Sequence, residues 1–186
     1  MVFIAQLWLP ILVSAVIVFI ASSLVHAVLP FHARDYAKMP NEDDVLEAMH
    51  TAGVPPGDYL FPYAPSPKAM QAPEMVKKLE RGPLGFVTVM PTGVPTMGGQ
   101  LVQWFVYCVL VGIVTAYVTG RTFGPGVDYL AIFRISGTVA FIAYSGAHPS
   151  ASIWYRRSWS TTARFIVDGF LYGLLTAGTF GWLWPR

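Results

Sequence analysis

The sequence predicts an all-α membrane protein: four transmembrane helices, with a partly helical, Pro-rich extramembrane loop over residues 30–100 between helices 1 and 2. Three observations predict it. Only 12% of residues are charged, against roughly 25% in a soluble domain. The mean hydropathy is +0.52. Four apolar stretches each approach the ~20 residues with which a helix crosses the hydrocarbon core.

Taken in order, residues 1–29 hold the first span, from about Phe3 to Val28. Val25-His26-Ala27 has the small-residue look of a signal-peptidase site. The stretch before it, however, has no Lys or Arg in its n-region and an apolar core too long for a signal peptide, so an uncleaved anchor is expected. Residues 101–186 hold the other three spans, at about 101–119, 129–147 and 165–184.

The loop between spans one and two carries most of the charge and the prolines. PNEDDVLEAMHTAG (40–53) reads as a helix, with Asn41 as cap, acids in the first turn and Gly53 closing it. APEMVKKLER (72–81) reads as a second, opened by Pro73 and followed by Gly82. Between them, VPPGDYLFPYAPSP predicts an extended, proline-stiffened crossing. GFVTVM (85–90) reads as a short strand, and MPTGVPTMGG (90–99) as irregular. The apolar residues of the loop are scattered, so it is not expected to fold alone.

Four spans place both termini on one side. Arg34, Lys38, Arg156, Arg157 and Arg164 flank span ends on the loop side, against Arg121 and Arg186 on the other. The bias predicts a cytoplasmic loop and periplasmic termini. Trp154, Trp159, Trp182 and Trp184 fall where span ends meet the headgroups.

Small residues recur every fourth position in two spans: Cys108, Gly112, Ala116 and Gly120, then Gly169, Gly173, Ala177 and Gly181. In lipid, helices associate by close packing, and such stripes permit it. Both spans run from the loop side to the terminal side, so the stripes are expected to pack on one another or on another subunit. Cys108 is the one cysteine and is read as packing, since it has no intramolecular partner.

Arg134 and Asp168 are ionisable residues inside spans, and such positions are functional candidates by default. They lie near opposite ends of their helices, so Arg134 is expected to snorkel outward or meet Asp128, and Asp168 to sit at a helix start. Arg134, Thr138, Ser145 and His148 share one predicted polar face. His26, His32, Asp35, His148 and Asp168 share one depth on the loop side. Two His at one depth suit haem, and His with Asp suits a metal, a proton relay or a quinone headgroup. No HxxxH, HExxH or CxxCH motif accompanies them, so no cofactor is strongly implied.

The net charge of +2, with no phosphate loop and no basic stripe, excludes nucleic-acid modules. Nothing resembles a nucleophile elbow or a Ser-His-Asp arrangement. The expected class is therefore a non-enzymatic accessory or scaffold subunit, or a small homo-oligomer, with the bilayer and other membrane subunits or itself as partners. An oligomeric channel or transporter with its pathway along the third span is one alternative. A redox protein holding haem, metal or quinone at the interfacial His is the other.

Four stretches carry a resemblance: LPFHARDYAKMPNEDDVLEAM after the first span, GDYLFPYA in mid-loop, PTGVPTMGG before WFVYC, and DGFLYGLLTAGTFGWLWP at the end. Together they resemble a family of small four-span bacterial inner-membrane proteins. The resemblance implies the four-span fold and a bacterial inner membrane. It implies no activity and no site residue.

Overall fold

A helix satisfies its own backbone groups, so an apolar run without water has little choice but to form one. The computed structural model describes residues 1–186 and contains four helices long and apolar enough to cross a membrane. The first is α1, Trp8–Ala27, preceded by a 3₁₀ turn at Ile4–Leu7. After it come α2 (Glu42–Thr51), β1 (Gly57–Phe61), α3 (Pro67–Met70), α4 (Pro73–Arg81) and β2 (Gly85–Val89). The second long helix is α5, Gly98–Thr122; the third runs over Tyr129–Tyr155 as α6 (Tyr129–Ser145) and α7 (His148–Tyr155); the fourth is α8, Trp159–Trp182.

The chain divides into two units. One joins Met1–Ala37 to Thr96–Arg186; the other is Lys38–Pro95. In the first, α8 packs most extensively on α6, and α1 packs on α5 and α8. One buried cluster holds Val2, Leu7, Ile11, Ala116, Ile132, Phe180 and Trp184. A second holds Ala15, Val18, Cys108, Val111, Ala140, Tyr144 and Tyr172. Buried hydroxyls in these helices turn back onto their own backbone: Ser14 donates to the Ile11 carbonyl, Ser136 to Ile132 and Thr176 to Tyr172. That pairing lets a polar residue sit in an apolar helix at little cost.

The two small-residue stripes do not meet, contrary to the sequence expectation. A Cβ on Gly112 would lie 3.2 Å from Ile11, and one on Gly120 only 2.5 Å from the Val2 carbonyl. The α5 stripe therefore receives α1 and the N-terminal segment, whose Val2 N–H donates to the Gly120 carbonyl at 2.8 Å. The α8 stripe receives α6: Gly169 faces Ser145, Gly173 faces Phe141, Ala177 faces Gly137 and Gly181 faces the Tyr129 ring. Both pairings run antiparallel, as falling numbers against rising ones show. Spacing defines a close-contact face; the short connection through α7 decides which neighbour fills it.

Other expectations are also corrected. α8 extends back to Trp159, ahead of the expected span at 165–184; Thr161 and Thr162 are buried, and Ser152 and Thr162 share a hydroxyl hydrogen bond of 2.6 Å, which gives a polar first turn a partner in α7. Trp184, just past the end of α8, is buried and donates Nε1–H to the Gly124 carbonyl at 3.0 Å. Asn41 sits at the start of α2 in the left-handed conformation and makes no side-chain cap.

In the Lys38–Pro95 unit, β1 and β2 pair antiparallel from Gly57↔Val89 to Phe61↔Gly85, so part of the expected proline-stiffened crossing is a strand. Thr88 donates to Asp58 across the pair at 2.6 Å. Not one residue of this unit is buried. Leu46, Leu60, Phe61, Leu84 and Phe86 are exposed. Two strands and short helices without a core are marginal on their own.

The α6–α8 contact makes a prediction. Gly173→Leu drives its side chain into Phe141 and the Gly137 carbonyl, 3.1 and 3.2 Å from a Cβ alone. Overpacking of this kind costs about 1–3 kcal/mol. The detergent-solubilised variant is expected to unfold at a lower temperature. An unchanged transition would mean that the two helices do not pack through this face.

Candidate functional site

The last turn of α1 carries His26, and a 3₁₀ turn at Pro30–His32 brings His32 back beneath it. Asp35 follows three residues on. α8 supplies Arg164 and Asp168, which share a face because they are four apart. The His26 and His32 rings stack with centroids 4.2 Å apart and planes 12° apart. His32 lies between two carboxylates. Its Nδ1 is 2.6 Å from Asp35 Oδ2, and its Nε2 is 2.9 Å from Asp168 Oδ2. His26 Nε2 is 3.8 Å from the same Asp168 oxygen.

The outer carboxylate is neutralised. Arg164 donates Nε–H to Asp35 Oδ1 at 2.7 Å, and its terminal nitrogen forms an ion pair with the same oxygen at 2.6 Å. Burial works against ionisation of Asp35, but hydrogen bonds from His32 and Arg164 outweigh it and hold the carboxyl below its ordinary value. Paired with the Arg164 guanidinium, Asp35 acts as an acceptor, and His32 presents Nδ1–H to it. His26 Nδ1 is 3.1 Å from the Ser22 carbonyl, which can only accept. Both rings are thus in the same tautomer when neutral, with the Nε2 lone pair free.

Both Nε2 atoms lie beside a carboxylate. The Asp168 side chain is only 4% exposed and that of His32 only 10%. Despite their separation, neither His32 Nε2 nor Asp168 Oδ2 is in an aligned hydrogen bond. The three acceptor atoms of His26, His32 and Asp168 lie within 4.8 Å of one another. A carboxylate facing two acceptors at this depth calls for a positive charge among them.

A cavity of about 500 Å³ opens from this cluster. Its polar end is His26, Asp168 and His148; its walls are largely aromatic, from Trp104, Tyr107, Tyr144 and Tyr172. The rings pack edge to face and stacked, with Tyr144–Tyr172 centroids 5.5 Å and Trp104–Tyr107 centroids 5.6 Å apart. Trp104 donates Nε1–H to Ser22 Oγ at 2.7 Å, and Tyr107 donates to the Ala143 carbonyl at 2.7 Å. The Tyr172 hydroxyl is buried without a hydrogen-bond partner. Met97 and Leu101 also line the cavity and are exposed.

Of the residues singled out from sequence, the structure brings His26, His32, Asp35 and Asp168 together. His148 lines the cavity, with its ring 4.9 Å from Phe165, outside the three-residue cluster. Arg134 is exposed at the far end of α6, and Asp128 uses its carboxylate to cap that helix at the Leu130 N–H. Along the expected polar face of the third span, Arg134 and Thr138 are exposed, whereas Ser145 is buried against Gly169. Sequence reading missed Tyr172, Trp104, Tyr107 and Tyr144. The one available signal was the ladder Arg164, Asp168, Tyr172 at four-residue spacing. Compared with protein-family models, with curated proteins and with solved structures, the chain matches none.

Proposed function

We propose that this is a multi-pass protein of a bacterial inner membrane that binds a lipid-soluble small molecule between α1, α5, α6 and α8. One observation carries the reading: an aromatic-walled cavity that ends on buried polar groups, the Asp168 carboxylate and the Tyr172 hydroxyl, neither fully satisfied by the protein. Its volume of about 500 Å³ lies within the ~300–1,000 Å³ of small-molecule sites. The combination suits a ligand with an apolar body and a hydrogen-bonding oxygen head, entering from the bilayer. Binding, rather than catalysis, is the role in this reading.

The test is solvent extraction and mass spectrometry of protein purified in mild detergent from its own membrane. A single lipophilic species is expected in amounts comparable to the protein, and Ala143→Phe, which fills the cavity wall, is expected to lose it. Equal retention by both proteins, or no retained species, would remove the reading.

A second reading rests on the Lys38–Pro95 unit, which exposes Leu46, Leu60, Phe61 and Phe86 and buries nothing. Such a surface favours an accessory subunit held against a partner protein. Native mass spectrometry of the extracted protein is expected to show other polypeptides bound. A mass of one chain or its small multiples would count against a foreign partner.

The Lys and Arg bias supports a cytoplasmic position for this unit and periplasmic termini. Val94 is 93% exposed and the native Cys108 is buried, so Val94→Cys reports topology. A membrane-impermeant maleimide is expected to label it only after spheroplasts are opened; labelling of intact spheroplasts would invert the topology.

A further inference from the structure

We infer that His26, His32 and Asp168 hold a divalent transition-metal ion of the zinc or ferrous class, with a remaining coordination position turned to the cavity. The inference goes beyond the bound lipophile and rests on different atoms.

Chemistry of the donor set comes first. Imidazole nitrogen with carboxylate oxygen suits borderline divalent metals, and two His with one carboxylate leave positions for water or substrate. Metal–ligand distances of about 2.0–2.1 Å place ligand atoms about 3.3 Å apart around a tetrahedral ion. Here Asp168 Oδ2 is 2.9 Å from His32 Nε2 and 3.8 Å from His26 Nε2. The two rings are stacked with planes 12° apart, so sharing one ion requires one imidazole to turn out of the stack.

The surrounding shell is the one a ligating histidine usually has. Such a residue donates its other N–H to a carboxylate or a backbone carbonyl, which fixes the tautomer. His32 does so to Asp35 at 2.6 Å, and His26 to the Ser22 carbonyl at 3.1 Å. Asp35 is itself anchored by Arg164. Two outer partners therefore leave two Nε2 lone pairs unused within 4.8 Å of one buried carboxylate oxygen.

The rival occupant is a proton on His32 Nε2. It would link His32 to Asp168 across 2.9 Å and leave the Nε2 of His26, whose side chain is 42% exposed, to the cavity. A dication satisfies all three atoms. With Arg164 and Asp35 cancelling, it leaves a local charge of one positive unit, which a hydroxide or an anionic oxygen from the cavity would neutralise.

The test uses the full-length protein in mild detergent. Retained metals are measured by elemental mass spectrometry; the chelator-stripped protein is then titrated with Zn²⁺ alone and with Co²⁺ alone, following the visible d–d band. The expected result is close to one ion per chain and a Co²⁺ spectrum that Zn²⁺ abolishes. Asp168→Asn and His32→Gln, checked for retained helical circular dichroism, are expected to lose it, and Asp35→Asn to weaken it about 10–100-fold. His50→Ala, in the other unit, is expected to bind as wild type. X-ray absorption on the wild-type Co²⁺ protein, expected to show imidazole ligands, keeps the test decisive if the variants do not fold. No metal and no Co²⁺ band in wild type, or equal binding by Asp168→Asn, would overturn the inference and leave the proton as occupant. Metal binding that persists in Ala143→Phe separates this result from the fate of the lipophile.

Discussion

A carboxylate inside an apolar helical unit is the constraint around which this end of the molecule is arranged. Asp168 is buried on α8, so its charge must be met by groups brought to it. The sequence brings two rings from outside α8. The end of α1 supplies His26, and the turn at Pro30–His32 folds the chain back so that His32 lies against α8. That turn also positions Asp35 under Arg164, one helical turn before Asp168. The route of the chain out of α1 is thus tied to α8 by two charged contacts rather than by apolar packing alone.

α8 can serve this role because it presents two neighbouring stripes. Gly169, Gly173, Ala177 and Gly181 let α6 approach closely. One residue behind them, Arg164, Asp168, Tyr172 and Thr176 form a second stripe, of which the last three are buried. An apolar 18-residue stretch of α8 is 44% buried, against 28–33% in the other three spans. Close approach on one side fixes the rotation of α8, and that rotation directs the polar stripe toward α1 and the cavity. A bulky residue in the first stripe would therefore disturb the second without touching it.

The parts of this architecture that were legible in the sequence are those set by local composition. Apolar length defines the four long helices, and Pro73 and Gly82 bound α4 as expected. His26, His32, Asp35 and Asp168 could be grouped because helix ends share a depth, which is a one-dimensional property. Contacts around a helix axis are not one-dimensional. The stripes at 108–120 and 169–181 were visible, but nothing in their spacing distinguishes α1 or α6 from each other as neighbours. Trp104, Tyr107, Tyr144 and Tyr172 read as ordinary packing in a span, because an aromatic side chain has the same composition signal whether it fills a core or walls a cavity. β1 was hidden by Pro55, Pro56 and Pro62, which mark its borders and made the whole stretch look unpaired.

The cavity and the cluster share Asp168 and His26, and that sharing has a thermodynamic consequence. Any ligand whose polar head contacts the charge held at Asp168 changes the affinity of that charge for the site, and the reverse effect has the same magnitude. A proton between His32 and Asp168 would make lipophile binding pH-dependent; a metal ion would make it metal-dependent. An apolar pocket closed off from the cluster would show neither. The placement of Asp168 at the boundary, buried among helices yet lining the cavity, is what converts a structural charge into one that a bound molecule can sense.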